Sequence, residues 1–194
     1  MATIYSLKPY VIPKLRGVPD TPMLEQGIRE ACRQFIVDTE IWTEINLMNS
    51  VAGEDEYQIV PDTAGTVCLR LIEVTLDDGN PIKGCILSES DLLTLPYETA
   101  SAGTNNLSIT IALKPDVATY TYPDWLYERY DDVMKNAVLY YFMSMPNKPW
   151  TDMEAAKKAE NDYKREMHRV RTHKLTGRRQ GQLRASIPIS GGWF

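Results

Sequence analysis

Two histidines, His168 and His173, are the residues best suited to chemistry, because imidazole serves both as a catalytic base and as a metal ligand. They lie five residues apart, which puts them on different faces of a helix, whereas a zinc-binding pair is one turn apart. Neither is close in sequence to a cysteine, so a thiol nucleophile has little choice of base. The sequence therefore favours neither metal ligation nor nucleophilic catalysis.

Paired carboxylates are the second candidate, since a glycosidase uses one carboxyl group as acid and another as base or nucleophile. The neighbouring pairs are Asp77 with Asp78, Asp131 with Asp132, and Asp152 with Glu154. The first pair falls in a predicted turn. The other two lie on or at the start of predicted helices, where acids favour the positive end of the helix. Structural roles explain all three pairs, and we assign no catalytic residue.

Nucleotide-binding motifs are missing from the chain. Neither the G-x-x-x-x-G-K-[ST] loop nor the G-x-G-x-x-G fingerprint occurs, and Gly191-Gly192 is interpreted as a short flexible element. The sequence predicts no cofactor, no metal and no enzymatic activity.

The composition is typical of a soluble globular protein, with 194 residues of which 43% are hydrophobic and 24% are charged. No run approaches the ~20 apolar residues of a membrane-spanning helix, and the N-terminus does not resemble a secretion signal. Three scattered cysteines, Cys32, Cys68 and Cys85, have apolar neighbours. We expect them to be reduced and buried, as in a protein that folds in a reducing cytoplasm.

Charge is divided unevenly along the chain. The formal net charge is −5, yet the segment after Glu166 has no acidic residue and carries +6, which leaves −11 on the rest. The basic residues of that segment are Arg169, Arg171, Lys174, Arg178, Arg179 and Arg184. An acidic body with a basic tail indicates that the tail has a partner of its own. Trp193 and Phe194 follow, and such an aromatic pair either folds back onto its own domain or inserts into that partner.

The N-terminal half predicts an extended arm, a helix and then strands. Three prolines interrupt residues 2–19, which we interpret as the arm. Thr21 as cap and Pro22 at the first turn predict a helix ending near Thr39, with Leu24, Ile28, Ala31, Cys32 and Phe35 on its apolar face. Strands are predicted at 57–60, at 67–76 with a β-bulge where the alternation slips after Leu71, and at 107–113. Asp78-Gly79-Asn80 predicts a hairpin turn with a return strand at 81–86, followed by a helical turn at 88–95 and a polar loop at 97–106.

The C-terminal half predicts two helices and a tail. Pro123 opens the first helix, and the two prolines of 145–150 end it. Thr151 and Glu154 have the spacing of a capping box for the second helix, which ends near Gly177. The fold class is therefore α+β: a helical bundle of three main helices, including a C-terminal αα-hairpin, with a small antiparallel β-sheet or hairpin insertion at 54–115 and extended arms at both ends. The expected organisation is an arm at 1–19, one domain at 20–176 and a docking tail at 177–194.

A resemblance rests on the stretch from 122 to 167. It combines Tyr122-Pro123-Asp124-Trp125, a long helix ending in Phe142-Met143-Ser144-Met145, the link Pro146-Asn147-Lys148-Pro149-Trp150, and a second helix rich in alanine and charge. In this stretch the sequence resembles the head-to-tail adaptor proteins of tailed bacteriophages, also called connector, head-completion or tail tubular A-like proteins. The order of elements is similar from about residue 20 to 175.

The resemblance implies a structural subunit of the virion that assembles in the host cytoplasm. It would form a homo-oligomeric ring, expected to be a dodecamer, between the portal protein and the tail or nozzle proteins. Packaged double-stranded DNA would pass through the ring without specific binding, and no membrane is involved. The resemblance assigns the portal contact to the tail residues Arg178, Arg179, Arg184, Ile187, Ile189, Trp193 and Phe194. Candidate contacts with the tail or a neighbouring subunit are Asp77, Asp78, Gly79, Asn80, Tyr97, Thr104 and Asn105.

Three other functions stay open at the level of sequence. The chain is alternatively another virion component, such as a tail terminator or a minor capsid protein. A cell-wall hydrolase would use one of the carboxylate pairs. A DNA-binding assembly factor would use the basic tail on phosphates in a salt-dependent way, although an acidic body repels a duplex.

Overall fold

The computed structural model describes residues 2–76, 79–89, 91–99 and 102–180, and within them helices and antiparallel sheets are combined in a mixed α+β fold. The α+β class predicted from the sequence is confirmed. The helices are α1 (Lys8–Val11), α2 (Thr21–Thr39), α3 (Asp124–Met143) and α4 (Met153–Gln180). The strands are β1 (Ala2–Thr3), β2 (Thr43–Ser50), β3 (Glu56–Gln58), β4 (Thr66–Leu76), β5 (Ile86–Leu87), β6 (Leu92–Thr94), β7 (Gly103–Pro115) and β8 (Thr121–Tyr122).

The N-terminal segment is helical, and the prediction of an extended arm is wrong. Two 3₁₀ turns, Ile4–Leu7 and Ile12–Lys14, flank α1. The prolines stand in the first positions of α1 and of the second turn, where a missing N–H leaves no bond unmade. Leu7 and Val11 are fully buried, so this segment is part of the core.

Helix α2 follows the prediction closely but begins on a different cap. Its N-cap is Asp20 and Thr21 is already helical, with proline in the first turn. The helix ends at Thr39, because Glu40 turns to a left-handed conformation (φ 48°) while its N–H still reaches the Ile36 carbonyl at 2.8 Å. All five residues of the predicted apolar face are buried.

The main sheet has the order β2-β7-β4 and is antiparallel throughout. Its central strand β7 buries Leu107, Ile109, Ile111 and Leu113, as the alternating pattern predicts. Strand β4 has the predicted irregularity between Leu71 and Glu73, and a second one between Cys68 and Arg70. Strand β2 was not predicted, because its apolar and polar residues do not follow the usual alternation. Apolar Ile45 and Leu47 are exposed, whereas polar Asn46 and Ser50 are buried.

A second small sheet, β3-β6-β5, replaces two predicted elements. The expected return strand is reduced to one bridge between Pro81 and Thr75, and the chain then moves on to pair β5 with β6. The expected helical turn at 88–95 is a tight turn followed by β6, since Asp91 has φ 58° and its N–H reaches the Ser88 carbonyl at 3.1 Å. We call residues 51–63 and 85–99, which contain this sheet, the β-lobe.

The three longer helices pack through aromatic side chains. The Phe35 ring of α2 lies 5.7 Å from Tyr130 of α3 and 6.4 Å from Tyr163 of α4. Helix α3 is kinked at Tyr130, whose φ of −128° is outside the helical range. One apolar cluster continues from these helices into both the main sheet and the β-lobe, so the described residues share a single core.

Candidate interaction surfaces

In each carboxylate pair that the structure describes, at least one member has a structural partner. Lys135 Nζ lies 2.6 Å from Asp131 and 3.1 Å from Asp132. Asp152 forms an ion pair with Arg16 at 2.8 Å and accepts a hydrogen bond from the first turn of α4. Asp77 and Asp78 lie outside the described residues. These contacts give Asp131, Asp132 and Asp152 structural roles.

The cysteine thiols are free and shielded. Cys32 and Cys68 are buried, and burial raises the pKa of each thiol to about 12. Cys85 is half-buried, and burial raises its pKa as well. His168 is exposed on α4, and no group of His, Cys, Asp and Glu positioned to hold a metal occurs in the described part of the chain. At neutral pH these thiols are protonated and poor nucleophiles.

The link between α3 and α4 is closed by its own side chains, in a way that corrects the predicted capping box. Thr151 Oγ1 accepts the Lys148 N–H at 2.9 Å and donates to the Met145 carbonyl, so it holds the link together. The cap of α4 is Asp152, whose carboxylate accepts the Ala155 N–H at 3.1 Å. Glu154 lies in the first turn of α4 and is exposed.

The same link is anchored in the core. Trp150 is only 8% exposed and packs edge-on against the fully buried Phe142, with the two ring centroids 6.5 Å apart. Pro149 lies so close to Gly17 that a Cβ on that glycine would be 2.9 Å from the proline ring. The Arg16–Asp152 ion pair adds a bond between the N-terminal segment and the start of α4. The direction of α4 is therefore fixed relative to α3.

Helix α4 carries five of the six basic residues that follow Glu166. Its 28 residues correspond to about 42 Å. Ala156, Ala159, Tyr163 and Val170 form its buried seam. Arg171 Nε donates to the Asp38 carbonyl at 2.8 Å, which ties the basic half of α4 to the end of α2.

The predicted portal contact is described only in part. The helix runs through the predicted end at Gly177 to Gln180, so 177–180 are helical and not extended. Arg178 and Arg179 thus stand on α4, although their side chains are outside the described part of the chain. The remaining predicted residues, Arg184, Ile187, Ile189, Trp193 and Phe194, all lie outside the described residues.

The predicted tail or neighbour contacts fall into two places. Gly79 (φ 74°) and Asn80 follow β4, and Thr104 is the second residue of β7. Because Leu76 pairs with Leu107, these residues share one end of the main sheet. Asn80 and Thr104 are exposed. Asn105 belongs to β7 by its backbone. Tyr97 is 52% exposed and lies in the β-lobe, after β6.

The β-lobe is strongly acidic, which the sequence reading missed because its charges are split between two segments. It contains seven carboxylates and no lysine or arginine: Glu54, Asp55, Glu56, Asp62, Glu89, Asp91 and Glu98. Val60, Ile86 and Tyr97 add exposed apolar surface to it. Inside, the Tyr57 hydroxyl lies 3.1 Å from the Thr99 hydroxyl and joins the two segments.

Two grooves lie between the helices. The first, between α3 and α4, has a volume of about 350 Å³ and is lined by Arg129, Tyr130, Val133, Glu166, Arg169 and Val170. We call it the α3–α4 groove. It opens at the kink of α3, which no sequence pattern indicated. The second, of about 370 Å³, lies among α2, α3 and α4, where the Tyr163 hydroxyl donates to Asp38 Oδ2 at 3.2 Å. Burial and then the Asp38 charge raise the pKa of Tyr163 above its usual range.

None of the helices in the described ranges is both long and apolar enough to cross a membrane. No known family model and no curated protein matches the sequence. Three surfaces of the described residues stand out: the acidic β-lobe, the basic helix α4, and the α3–α4 groove beside that helix. Helix α4 leaves the body at the link formed by Trp150, Thr151 and Asp152, which we call the fixed corner.

Proposed function

We propose that this chain is a non-enzymatic head-to-tail adaptor of a tailed bacteriophage. In this proposal a helical bundle built on α2, α3 and α4, with an inserted antiparallel sheet, assembles in the host cytoplasm into a dodecameric ring. The ring lies beneath the portal protein of the virion, joins it to the tail or nozzle proteins and lines the DNA channel. The alternative is another virion component, a tail terminator or minor capsid protein.

The observation that carries the proposal is the fixed corner from which α4 departs. Trp150, Thr151 and Asp152 hold the link through packing, hydrogen bonds and an ion pair. An adaptor needs a stiff connection between its body and its docking segment, because a docking segment held in a set direction loses less freedom on binding. The stretch that forms this corner is also the one whose sequence resembles the adaptor family.

Charge supports the same function. Residues after Glu166 carry +6, and the rest of the chain carries −11. A basic segment is steered towards an anionic surface on a partner, whereas an acidic channel wall repels DNA and lets it pass. A sequence-specific DNA-binding protein would have the opposite balance on its body.

The test is co-expression of the chain with the portal protein of its phage, followed by size-exclusion chromatography with light scattering. The chain is used at full length and truncated after Gln180, which leaves α4 complete. We expect full-length protein to co-elute with the portal in one large complex, and the truncated form to remain separate. The control is full-length Lys157→Glu, a charge reversal on the exposed face of α4 near its start, which should co-elute with the portal as the wild type does.

Each outcome separates the alternatives. If both forms co-elute with the portal, the adaptor function stands and the docking segment lies elsewhere. If full-length protein ignores the portal but binds tail proteins, the tail terminator replaces the adaptor. Clearing of cell walls by the purified chain would contradict a non-enzymatic function.

A further inference from the structure

Two oppositely charged surfaces lie on separate parts of the molecule. The β-lobe has seven carboxylates and no basic residue, whereas α4 after Glu166 has basic residues and no acidic one. The geometry points to a contact between copies in which the β-lobe of one chain docks onto the α3–α4 groove of the next, with Tyr97 in the groove and Glu98 against Arg129 and Arg169. This contact deepens the proposed adaptor function, since it supplies the interface of the ring.

The α3–α4 groove has the shape and charge to receive an aromatic side chain beside a carboxylate. Tyr130, Val133 and Val170 supply an apolar lining within a volume of about 350 Å³. Arg129 and Arg169 stand at its mouth; Arg129 is exposed and the Arg169 side chain is 81% exposed. Among the described residues Arg129 has no ion pair, and Arg169 reaches Glu166 only at 3.6 Å. Both guanidinium groups can therefore bind a carboxylate from outside.

The β-lobe presents a matching anchor. Tyr97 is 52% exposed and Glu98 beside it is exposed. Their loop is fixed on both sides, because the Leu95 N–H reaches the Asp55 carbonyl at 2.7 Å and the Thr99 N–H reaches the Glu54 carbonyl at 3.1 Å. A tyrosine on a fixed loop loses little freedom when it is buried, and aromatic anchors of this kind dominate many interfaces.

A second copy fits these observations better than other occupants. The groove is formed by α3 and α4, whereas the β-lobe is fastened to the main sheet, where Asn46 Nδ2 donates to the Val60 carbonyl at 3.2 Å. Two different, complementary patches on one chain make a head-to-tail contact, and repetition of such a contact closes a ring when the rotation allows it. A DNA duplex is disfavoured by the net charge of −5 on the chain.

The first experiment uses cysteine cross-linking of the full-length chain. Glu98→Cys and Arg169→Cys are made separately in a Cys85→Ser background, which removes the half-buried native thiol. We expect a disulfide-linked dimer in the mixture of the two variants, with and without portal protein, and none in either variant alone. A dimer of the Glu98→Cys variant alone would overturn the proposal in favour of a symmetric contact. No dimer in the mixture, under conditions where the chain co-elutes with the portal, would overturn the contact and leave the adaptor function standing.

The second experiment is a charge swap followed by sedimentation velocity. Glu98→Arg and Arg169→Glu should each weaken self-association at least tenfold, and the double variant should recover most of it. Lys157→Glu, on the exposed face of α4 and outside the groove lining, should leave self-association unchanged. Raising the salt should weaken the wild-type contact, since a Debye length of about 10 Å at ~0.1 M shortens further. No loss in either single variant, or loss of duplex DNA binding in Arg169→Glu with self-association intact, would refute the contact. If the single variants weaken self-association and the double variant recovers it, but the chain never binds the portal protein, the contact between copies is supported and the adaptor function is refuted.

Discussion

Gly27→Ala is the substitution whose effect the structure determines most sharply. Gly27 lies in the middle of α2 and faces α3 at a point of close approach. A Cβ at this position would lie 2.3 Å from Phe142 Cζ and 2.8 Å from Tyr141 Cε1. Phe142 is fully buried and its ring packs against Trp150 with the two centroids 6.5 Å apart, so a shift of the ring would disturb other core contacts.

Two opposing terms decide the sign of the change. Alanine in a helix interior is favoured over glycine by about 1 kcal/mol. Against this, carbon atoms pack best at about 3.5–4.0 Å, so the new methyl group is more than ~1 Å too close to the ring. Overpacking of a filled core costs about 1–3 kcal/mol, and complete burial of the ring points to the upper part of that range. We expect a net destabilisation of about 1–2 kcal/mol.

Urea unfolding followed by circular dichroism measures this difference in the free energy of unfolding. The matched control is Gln26→Ala, which adds alanine to the same helix at the neighbouring exposed position and should change stability by less than about 0.5 kcal/mol. A Gly27→Ala protein as stable as wild type, or more stable, would refute the close packing of α2 on α3.

Three further outcomes follow from the site. Asp152→Ala should lower the free energy of unfolding by about 1 kcal/mol because α4 loses its cap. Glu154→Ala should change it by less than about 0.5 kcal/mol. Equal effects of the two substitutions in urea unfolding would mean that Thr151 and Glu154 form the capping box after all. Because burial and the Asp38 charge raise the folded-state pKa of Tyr163 above its ordinary 10.0, the stability it contributes is present below pH 10 and is lost as pH rises further. In Tyr163→Phe the urea midpoint of unfolding should therefore fall less steeply as the pH rises above 10. An unchanged slope of midpoint against pH would count against the Asp38 contact. In native protein a thiol reagent should label the half-buried Cys85 before the two buried cysteines, and mass spectrometry of the labelled protein would reveal any other order.

Helices were predictable because their signals are local. Residues 24–35 repeat apolar side chains at helical spacing, and Pro123 and the prolines of the link mark where α3 starts and ends. The cap positions were less predictable, since Thr151 and Asp152 are both good caps in sequence and only the bonds of the folded link assign Asp152 to α4.

The strands beyond β4 and β7 were harder because their partners are distant in sequence. Strands β5 and β6 have two and three residues, too few for a period to appear, and β3 pairs with β6 across more than thirty residues. The extended arm was wrong for a related reason: prolines that start a helical turn look in sequence like prolines that prevent one.

The candidate surfaces were also predictable only where their signal is local in the sequence. The basic half of α4 and exposed Tyr97 were visible in the sequence as a run without acids and as a polar loop. The α3–α4 groove was not, because it depends on the kink at Tyr130 and on which residues of two helices face each other. The acidity of the β-lobe becomes clear only when folding brings its two segments together across the Tyr57–Thr99 contact.

The corner at Trp150 also sets a mechanical tolerance. Helix α4 acts as a lever of about 42 Å, so an angular error of roughly 5° at the link moves its far end by about 4 Å, more than the length of a hydrogen bond. In the ring that we propose, such errors would accumulate from one copy to the next. The buried Trp150 ring, the Thr151 hydrogen bonds and the Arg16–Asp152 ion pair thus restrict the angle between α4 and α3. They thereby limit how far the basic end of α4 can move.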